Sequence, residues 1–361
     1  MVSKEVNVKS FTFNNETFFA EYHLNYPLLG QLRRVKNSFV DSRGQSVKLF
    51  LDELSDIQID YSGSLTIFSD TKTSKVIGEY CYGQDSSIIN YPSAVEEFRS
   101  TITQNLHFKN AVTCLPGGGY NLHHFLFEIL PALLTFKEEI QNYEALILGS
   151  TPGSTFLAEF NEILDLTKNL ILVPINTTLK IDISANITAI PFRIYPIDKI
   201  NEIKSLVLEK CASGQSHSSK VVFIGRQDND RNRRALVNEA EVLEHLRLSY
   251  GQIEIARPGI TEISKTVRAI SGAKILIGPT GGNLAHLIWA TSLELFIEIV
   301  PFGYPGQTET QELSQLLGFQ YFRVNSDSVQ DGNWVYSDQK CRLNELSSLP
   351  LATLNSLKYS N

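Results

Sequence analysis

Cysteine is scarce: four residues in 361, at Cys81, Cys114, Cys211 and Cys341, widely spaced and without a Cys-x-x-Cys pair. That pattern argues against a disulfide framework or a zinc site and leaves reduced, partly buried thiols. A basic excess is missing too. The formal net charge is -7, and a nucleic-acid binder needs a basic stripe to meet phosphates. No apolar run approaches the ~18 residues that span a bilayer, so no transmembrane segment is expected. The opening MVSKEVNVKS carries no apolar core, so no signal peptide is expected and a cytoplasmic setting follows, with peripheral membrane association left open. No strand is followed by Gly-x-Gly-x-x-Gly, which counts against a nicotinamide-dependent oxidoreductase.

What is present is an ordinary globular composition, 42% hydrophobic and 20% charged. The length suits two domains at roughly 100–200 residues each. Residues 1–110 are rich in Phe, Tyr, Val and Thr in short alternating runs such as SFTFNNETFFAEY, a β-rich N-terminal segment. From 111 the texture changes to strands alternating with helices: AVTCL, the helix NLHHFLFEILPALLTFKEEI, EALILG, a helix near 152–164, and LILVP. PFRIYPID at 191–198 reads as a crossover. Beyond it VVFIG, QIEIA, KILIG and ELFIEIV alternate with helices near 238–248, 261–271, 283–290 and 308–317. This is an α/β pattern with a parallel sheet, and ligands bind outside the carboxyl ends of such strands. The expected domains are 1–110 and 111–195 in a first lobe and 196–340 in a second. A tail, 341–361, either stands apart or packs back on the first lobe.

Three motifs carry chemistry. Gly278-Pro279-Thr280-Gly281-Gly282-Asn283 lies between a buried strand and a helix. Glycines let a backbone approach a ligand closely, and helix-start N–H groups favour an anion. Alone, such a turn reads more readily as a tight connection with no ligand. Arg226 ends strand VVFIG, with Arg231, Arg233 and Arg234 following. A guanidinium at a strand's carboxyl end is placed to hold phosphate. The others read as a solvated basic loop from which one reaches a donor. Asp228-Asn229-Asp230 is formally a metal-binding Asp-x-Asp, but it is crowded by arginines and reads as loop.

The third motif is Gly117-Gly118-Gly119-Tyr120-Asn121-Leu122-His123-His124, running on to Glu128. The helix is apolar on nearly every side, which predicts burial. Asn121 is its candidate N-cap. His124 and Glu128 are four apart and share a face. A buried acid–imidazole pair is costly unless paired or functional. It serves either as a tuned base or as a structural hydrogen bond, and spacing does not choose between them. Pro131 kinks the helix or ends its first part. His123 points elsewhere, to packing or rim. His286 reads as a core histidine. Glu298 ends ELFIEIV and is a candidate acceptor for ribose hydroxyls, with Phe302 and Tyr304 after it to pack on a base or sugar.

In this order, the motifs resemble glycosyltransferase family 61. The matching residues are Gly119-Tyr120-Asn121 with His124, Glu128 and Leu130-Pro131; then Phe223-Ile224-Gly225-Arg226, Arg231 to Arg234 and Asn238-Glu239; then Gly278 to Leu284 and Glu298. The likeness covers roughly 111–325. Three positions depart from it: Glu128 stands for the usual aspartate, Thr280 for the usual histidine and Asn283 for a usual glycine. The resemblance implies a GT-B fold, two Rossmann-like lobes facing across a cleft, and inverting transfer from a nucleotide-sugar, UDP above all, to a glycan or glycolipid hydroxyl. No metal or cofactor is implied. The implied catalytic residues are Glu128 and His124. Arg226, Arg231, Arg234, Thr280, Gly281, Gly282, Asn283 and Glu298 would bind the donor, and Gly118, Gly119, Tyr120, Asn121 and His123 would line the acceptor side. Thr280 keeps a second reading open: an inactive carbohydrate- or nucleotide-binding protein on the same fold.

Overall fold

The computed structural model describes residues 7–13, 16–24, 31–40, 46–63, 65–72, 76–81, 92–116, 119, 121–151, 154–190, 193–212, 221–226, 235–259, 261–304, 306–329 and 337–347. The chain divides into two compact units, Met1–Ile200 and Asn201–Asn361. The division falls inside the helix Ile197–Cys211, a few residues past the crossover expected from the two prolines.

The first unit is built on one ten-stranded sheet. Its strands are β1 (Asn7–Phe13), β2 (Glu16–Leu24), β3 (Gln31–Val40), β4 (Ser46–Tyr61), β5 (Leu65–Asp70), β6 (Val76–Cys81), β7 (Gln104–Cys114), β8 (Ala145–Ser150), β9 (Leu170–Pro174) and β10 (Thr177–Ile187). The order is β1-β2-β6-β5-β4-β10-β7-β8-β9, with β3 beside β4. The N-terminal β-rich segment is therefore the antiparallel half of the same sheet that carries the parallel strands. Long β4 joins the halves, antiparallel to β10 along its length. It bends at Asp56, which takes φ +54°. The sheet curls strongly: the Thr66 hydroxyl donates to the Leu115 carbonyl at 2.6 Å, bringing β5 over the end of β7. Leu54, Ile57, Ile59, Tyr61, Leu179 and Ile181 pack together in its core.

Strand β10 was not read from the sequence. Its central Lys180, Asp182 and Ile183 face outward, so TTLKIDISANI lacks the continuous apolar run of its neighbours. It pairs with β7, while β8 and β9 continue on the other side of β7. The order reverses there, so the carboxyl ends of β7 and β10 flank a switch point.

The second unit holds a six-stranded sheet: β11 (Val221–Ile224), β12 (Glu254–Ala256), β13 (Ile275–Pro279), β14 (Leu295–Pro301), β15 (Gln320–Ser328) and β16 (Gln339–Cys341). The order is β12-β11-β13-β14-β15-β16, parallel except for the edge strand β16. Val221, Phe223, Ile275, Ile277, Ile297 and Ile299 pack with Val242 and Leu246 of the helix Glu239–Tyr250. Strands buried on both faces read as apolar runs, which is why β11, β13 and β14 were legible. The switch point here lies between β11 and β13. Described residues beyond 340 pair with this unit, through Ser326–Cys341.

Candidate functional site

The first cluster grows from the exit of β7. Asn121 caps the following helix, its Oδ1 accepting the His123 amide at 3.0 Å. The helix begins as Leu122–His124, widens into a π turn over Phe125–Ile129, and resumes at Leu130–Thr135 with Pro131 in its first turn. The wide turn has a local cause. Pro131 offers no N–H, and its ring would press on the carbonyl four residues back, at Phe127. Lengthening the loop to five residues, with Leu130 N–H donating to Phe125 O, relieves both problems. The Glu128 carbonyl instead takes the Ile190 amide, at 2.8 Å, just past β10. Glu128 is thus fixed from both sides of the switch point.

The expected pair forms. His124 Nδ1 and Glu128 Oε1 are 2.5 Å apart, with side-chain exposures of 11% and 3%. Burial raises the Glu128 carboxyl above its ordinary range, and His124 offsets part of that. Burial, with Glu128 nearby, also pushes the Cys114 thiol up. His123 is buried edge-on against Phe127, ring centroids 4.7 Å apart. Gly119 is buried, and a Cβ there would stand 2.5 Å from Ile129. Gly118 and Tyr120 lie outside the described residues. A small pocket opens at this end of the sheet, lined by Phe68, Thr113, Leu115, Pro116 and Asn186 among others.

The second cluster lies at the switch point of the second unit. Arg226 leaves β11 and its Nη1 donates to the Thr280 carbonyl at 2.9 Å, across to the turn after β13. Gly281 takes φ +141° and ψ 178°. A Cβ built on it would stand 1.8 Å from Arg226 Nη1, so the guanidinium rests on the bare glycine backbone. Gly282 opens a helix to Trp289, which is 3-10 rather than α. Its first N–H groups, at Gly282 and Asn283, are those a helix start leaves without an intrahelical acceptor. The sequence brought Arg226 and the glycine turn under suspicion separately; the fold sets them in contact. Arg231 and Arg234, with Arg233 and Asp228 to Asp230, lie outside the described residues.

Thr280 and Glu298 face away from that anion-favouring surface. Thr280 is 3% exposed and Glu298 0%. The Glu298 carboxylate accepts from Thr308 at 2.5 Å, Thr310 at 2.6 Å and Tyr321 at 3.0 Å. Burial raises its carboxyl above the usual range, and the surrounding hydroxyls hold it back. The Glu298 side chain, read from sequence as a ribose ligand, is engaged by its own unit. Sequence reasoning could not find this ring, because its donors sit 10 to 23 residues further along. Phe302 is 62% exposed, its ring 4.5 Å from the Arg342 guanidinium. His286 is buried, accepts the Trp289 indole N–H on Nδ1 at 2.8 Å, and has its pKa lowered by burial to about 3, so it is a neutral core imidazole.

Arg257 is a charged group the sequence reading missed. It follows β12, only three residues long, and donates from Nη1 to the Arg226 carbonyl at 3.3 Å. Its Nη2 pairs with Glu239 at the start of the helix Glu239–Tyr250. Among the described residues, no group of three or more His, Cys, Asp or Glu is gathered to hold a metal ion, and no helix is long and apolar enough to cross a membrane.

Residues 122–293 match the family described as Glycosyltransferase 61. That stretch contains both clusters up to the glycine turn, and the match bears out the resemblance carried by the ordered motifs and supports a glycosyltransferase. A xylan glycosyltransferase of Arabidopsis thaliana, MUCI21, is 29% identical over 91 residues, covering 24% of this chain and 18% of that protein. The chain thus aligns with less than a fifth of that relative's length. Among solved structures, the iron-containing dodecameric glycosyltransferase TibC of enterotoxigenic E. coli H10407 aligns with 92% of this chain and 96% of its own, at 10% identity and a TM-score of 0.33. TibC in complex with ADP-D-beta-D-heptose aligns at 11% identity over 85% of each chain, again with a TM-score of 0.33. Scores that low carry no argument about fold or chemistry.

Proposed function

We propose that the protein is an inverting, metal-independent glycosyltransferase of GT-B type. It moves a sugar from a nucleotide-sugar, a UDP-sugar by preference, to a hydroxyl of a glycan in polysaccharide or glycan biosynthesis. The observation that carries this reading is the contact of Arg226 with the Thr280–Gly281 backbone. It puts a permanent cation beside the opening amides of a helix, and a departing diphosphate needs both.

On this reading the second unit binds the donor and the first the acceptor. The buried pair supplies the base: Glu128, or His124 with Glu128 behind it, removes the proton of the acceptor hydroxyl. The oxygen then bonds to the anomeric carbon as the bond from that carbon to the diphosphate breaks. The leaving diphosphate keeps the electron pair, and Arg226 and the helix start stabilise its charge. Asn283, at the helix start, would add a side-chain contact on this reading.

The test is a thermal-shift screen of the full chain against a panel of nucleotide-sugars, followed by transfer assays with the ligand found. A ligand at 100 times its dissociation constant adds about 2.7 kcal/mol. Arg226→Ala should abolish both the shift and the transfer. A variant that binds the nucleotide as tightly as the parent sinks the assignment.

One observation favours a second reading. Thr280 is 3% exposed, so that turn position offers a donor only its backbone. A protein that binds nucleotide-sugars without catalysing transfer would have this turn as well. Binding of the donor with neither hydrolysis nor transfer, across a panel of acceptors, would establish it.

A further inference from the structure

The geometry points to Arg257 as a second diphosphate-binding guanidinium, matched to the phosphoryl group that Arg226 does not hold. The inference rests on the donor reading above and adds to it. β12 lies directly beside β11, with Ile224 opposite Ala256, so Gly225 and Arg257 leave the sheet side by side. The Gly225 amide donates to the Ala256 carbonyl at 2.9 Å, continuing that register beyond the strands. A Cβ on Gly225 would stand 2.6 Å from Arg257 Nη1. Each guanidinium therefore lies over a glycine backbone: Arg257 over Gly225, Arg226 over Gly281. Both guanidiniums belong to loops at the carboxyl ends of this sheet, and each lies over a floor without a side chain.

Arg257 is held in place from several directions. Its carbonyl accepts the Thr261 amide at 3.1 Å and the Thr261 hydroxyl at 3.0 Å, closing the turn after β12. Its side chain bridges Glu239 and the Arg226 carbonyl. A guanidinium carries five N–H donors, and these contacts take two of them. About a third of the side chain, 33%, faces solvent. Glu239 orients the fork and offsets its charge, but a single carboxylate cannot neutralise two guanidiniums. Arg226 and Arg257 minus Glu239 leave one positive charge, a surplus suited to an anion with two phosphoryl groups. Orthophosphate, with one, needs only Arg226 and the glycine turn.

That difference gives the test: calorimetric titration of the full chain with inorganic pyrophosphate and with orthophosphate. Arg257→Ala should weaken pyrophosphate about tenfold or more, the loss of a charge-assisted hydrogen-bonding partner. Orthophosphate should change by less than about threefold on the same grounds. Arg257→Lys keeps a cation opposite Glu239, so it holds the site together if the alanine variant does not fold, and its pyrophosphate loss should be intermediate. Arg226→Ala should weaken both anions. A parallel loss of both in the Arg257 variants would mean that Arg257 merely braces the Arg226 backbone, and the proposal falls. It falls equally if pyrophosphate binding is unchanged. If the parent protein binds neither anion, or Arg226→Ala alters neither, the donor reading itself fails.

Discussion

Gly281→Ala puts the contact between Arg226 and the glycine turn under direct strain. At φ +141° and ψ 178°, Gly281 occupies backbone space that is essentially reserved for glycine. An alanine there costs about 1–3 kcal/mol in backbone strain. The added methyl would stand 1.8 Å from Arg226 Nη1 and 3.0 Å from its Cζ. What it meets is the far end of a flexible side chain, so the guanidinium swings away and the sheet stays intact. The strain lowers the melting temperature by about 2–4 °C per kcal/mol for a unit of this size. The displaced guanidinium removes about 1.5–3 kcal/mol of charge-assisted bonding to the diphosphate, about tenfold to 150-fold in UDP affinity. Calorimetry with UDP reads that loss. Gly318→Ala is the control: φ is +78° and nothing lies within 4 Å of the new methyl, so it carries strain without touching Arg226. If Gly281→Ala binds UDP as well as the Gly318→Ala variant does, the Arg226 contact has no part in holding a diphosphate.

Glu128→Gln should cut turnover about 100-fold or more with donor binding retained; near-native turnover would move the base elsewhere. Because burial raises the Glu128 carboxyl, the acidic limb of the kcat profile should lie above the ordinary glutamate range, with activity lost as pH falls through the raised value. A limb at the ordinary value would contradict the placement. The Glu298 carboxyl is also raised, so the folded state binds its proton more tightly than the unfolded chain does. That contribution to stability is full below the unfolded value near 4.5 and is lost as pH rises through the folded value. Glu298→Gln should accordingly flatten the decline in melting temperature across that window, and an unaltered pH profile would speak against it. Transfer should survive EDTA; loss restored by manganese would direct attention to Asp228 and Asp230.

Much of the second unit was legible because its strands are buried on both faces. VVFI, ILIGP and LFIEIVP declare themselves by apolar continuity, and the loops after them follow from the parallel-sheet rule. QIEIA was read as a strand, but Arg257 just past it was not singled out, because its place beside Gly225 is set by pairing with β11 and not by local pattern. β16 is an edge strand of three residues with Lys340 at its centre, and β15 alternates with polar side chains. Neither carries an apolar run. In the first unit the His124–Glu128 pair followed from helical spacing. That the helix between them is a π turn did not, because the turn depends on Pro131 and on an acceptor for Ile190 some sixty residues away. Glu298, read as the end of its strand, is instead the central residue of β14. Its direction was decided by hydroxyls from two separate stretches of chain, which a one-dimensional pattern does not encode.

The ring around Glu298 also sets the polarity of its neighbours. Thr308 has one proton, and it is spent on the carboxylate. Only a lone pair is left for the Gln311 amide, which it accepts at 3.0 Å as the cap of the helix Glu309–Leu316. The cap is therefore oriented by an anion rather than free to rotate. Were Glu298 to take up a proton, the Thr308 hydroxyl would lose its reason to point inward, and the first turn of that helix would register a charge it never touches.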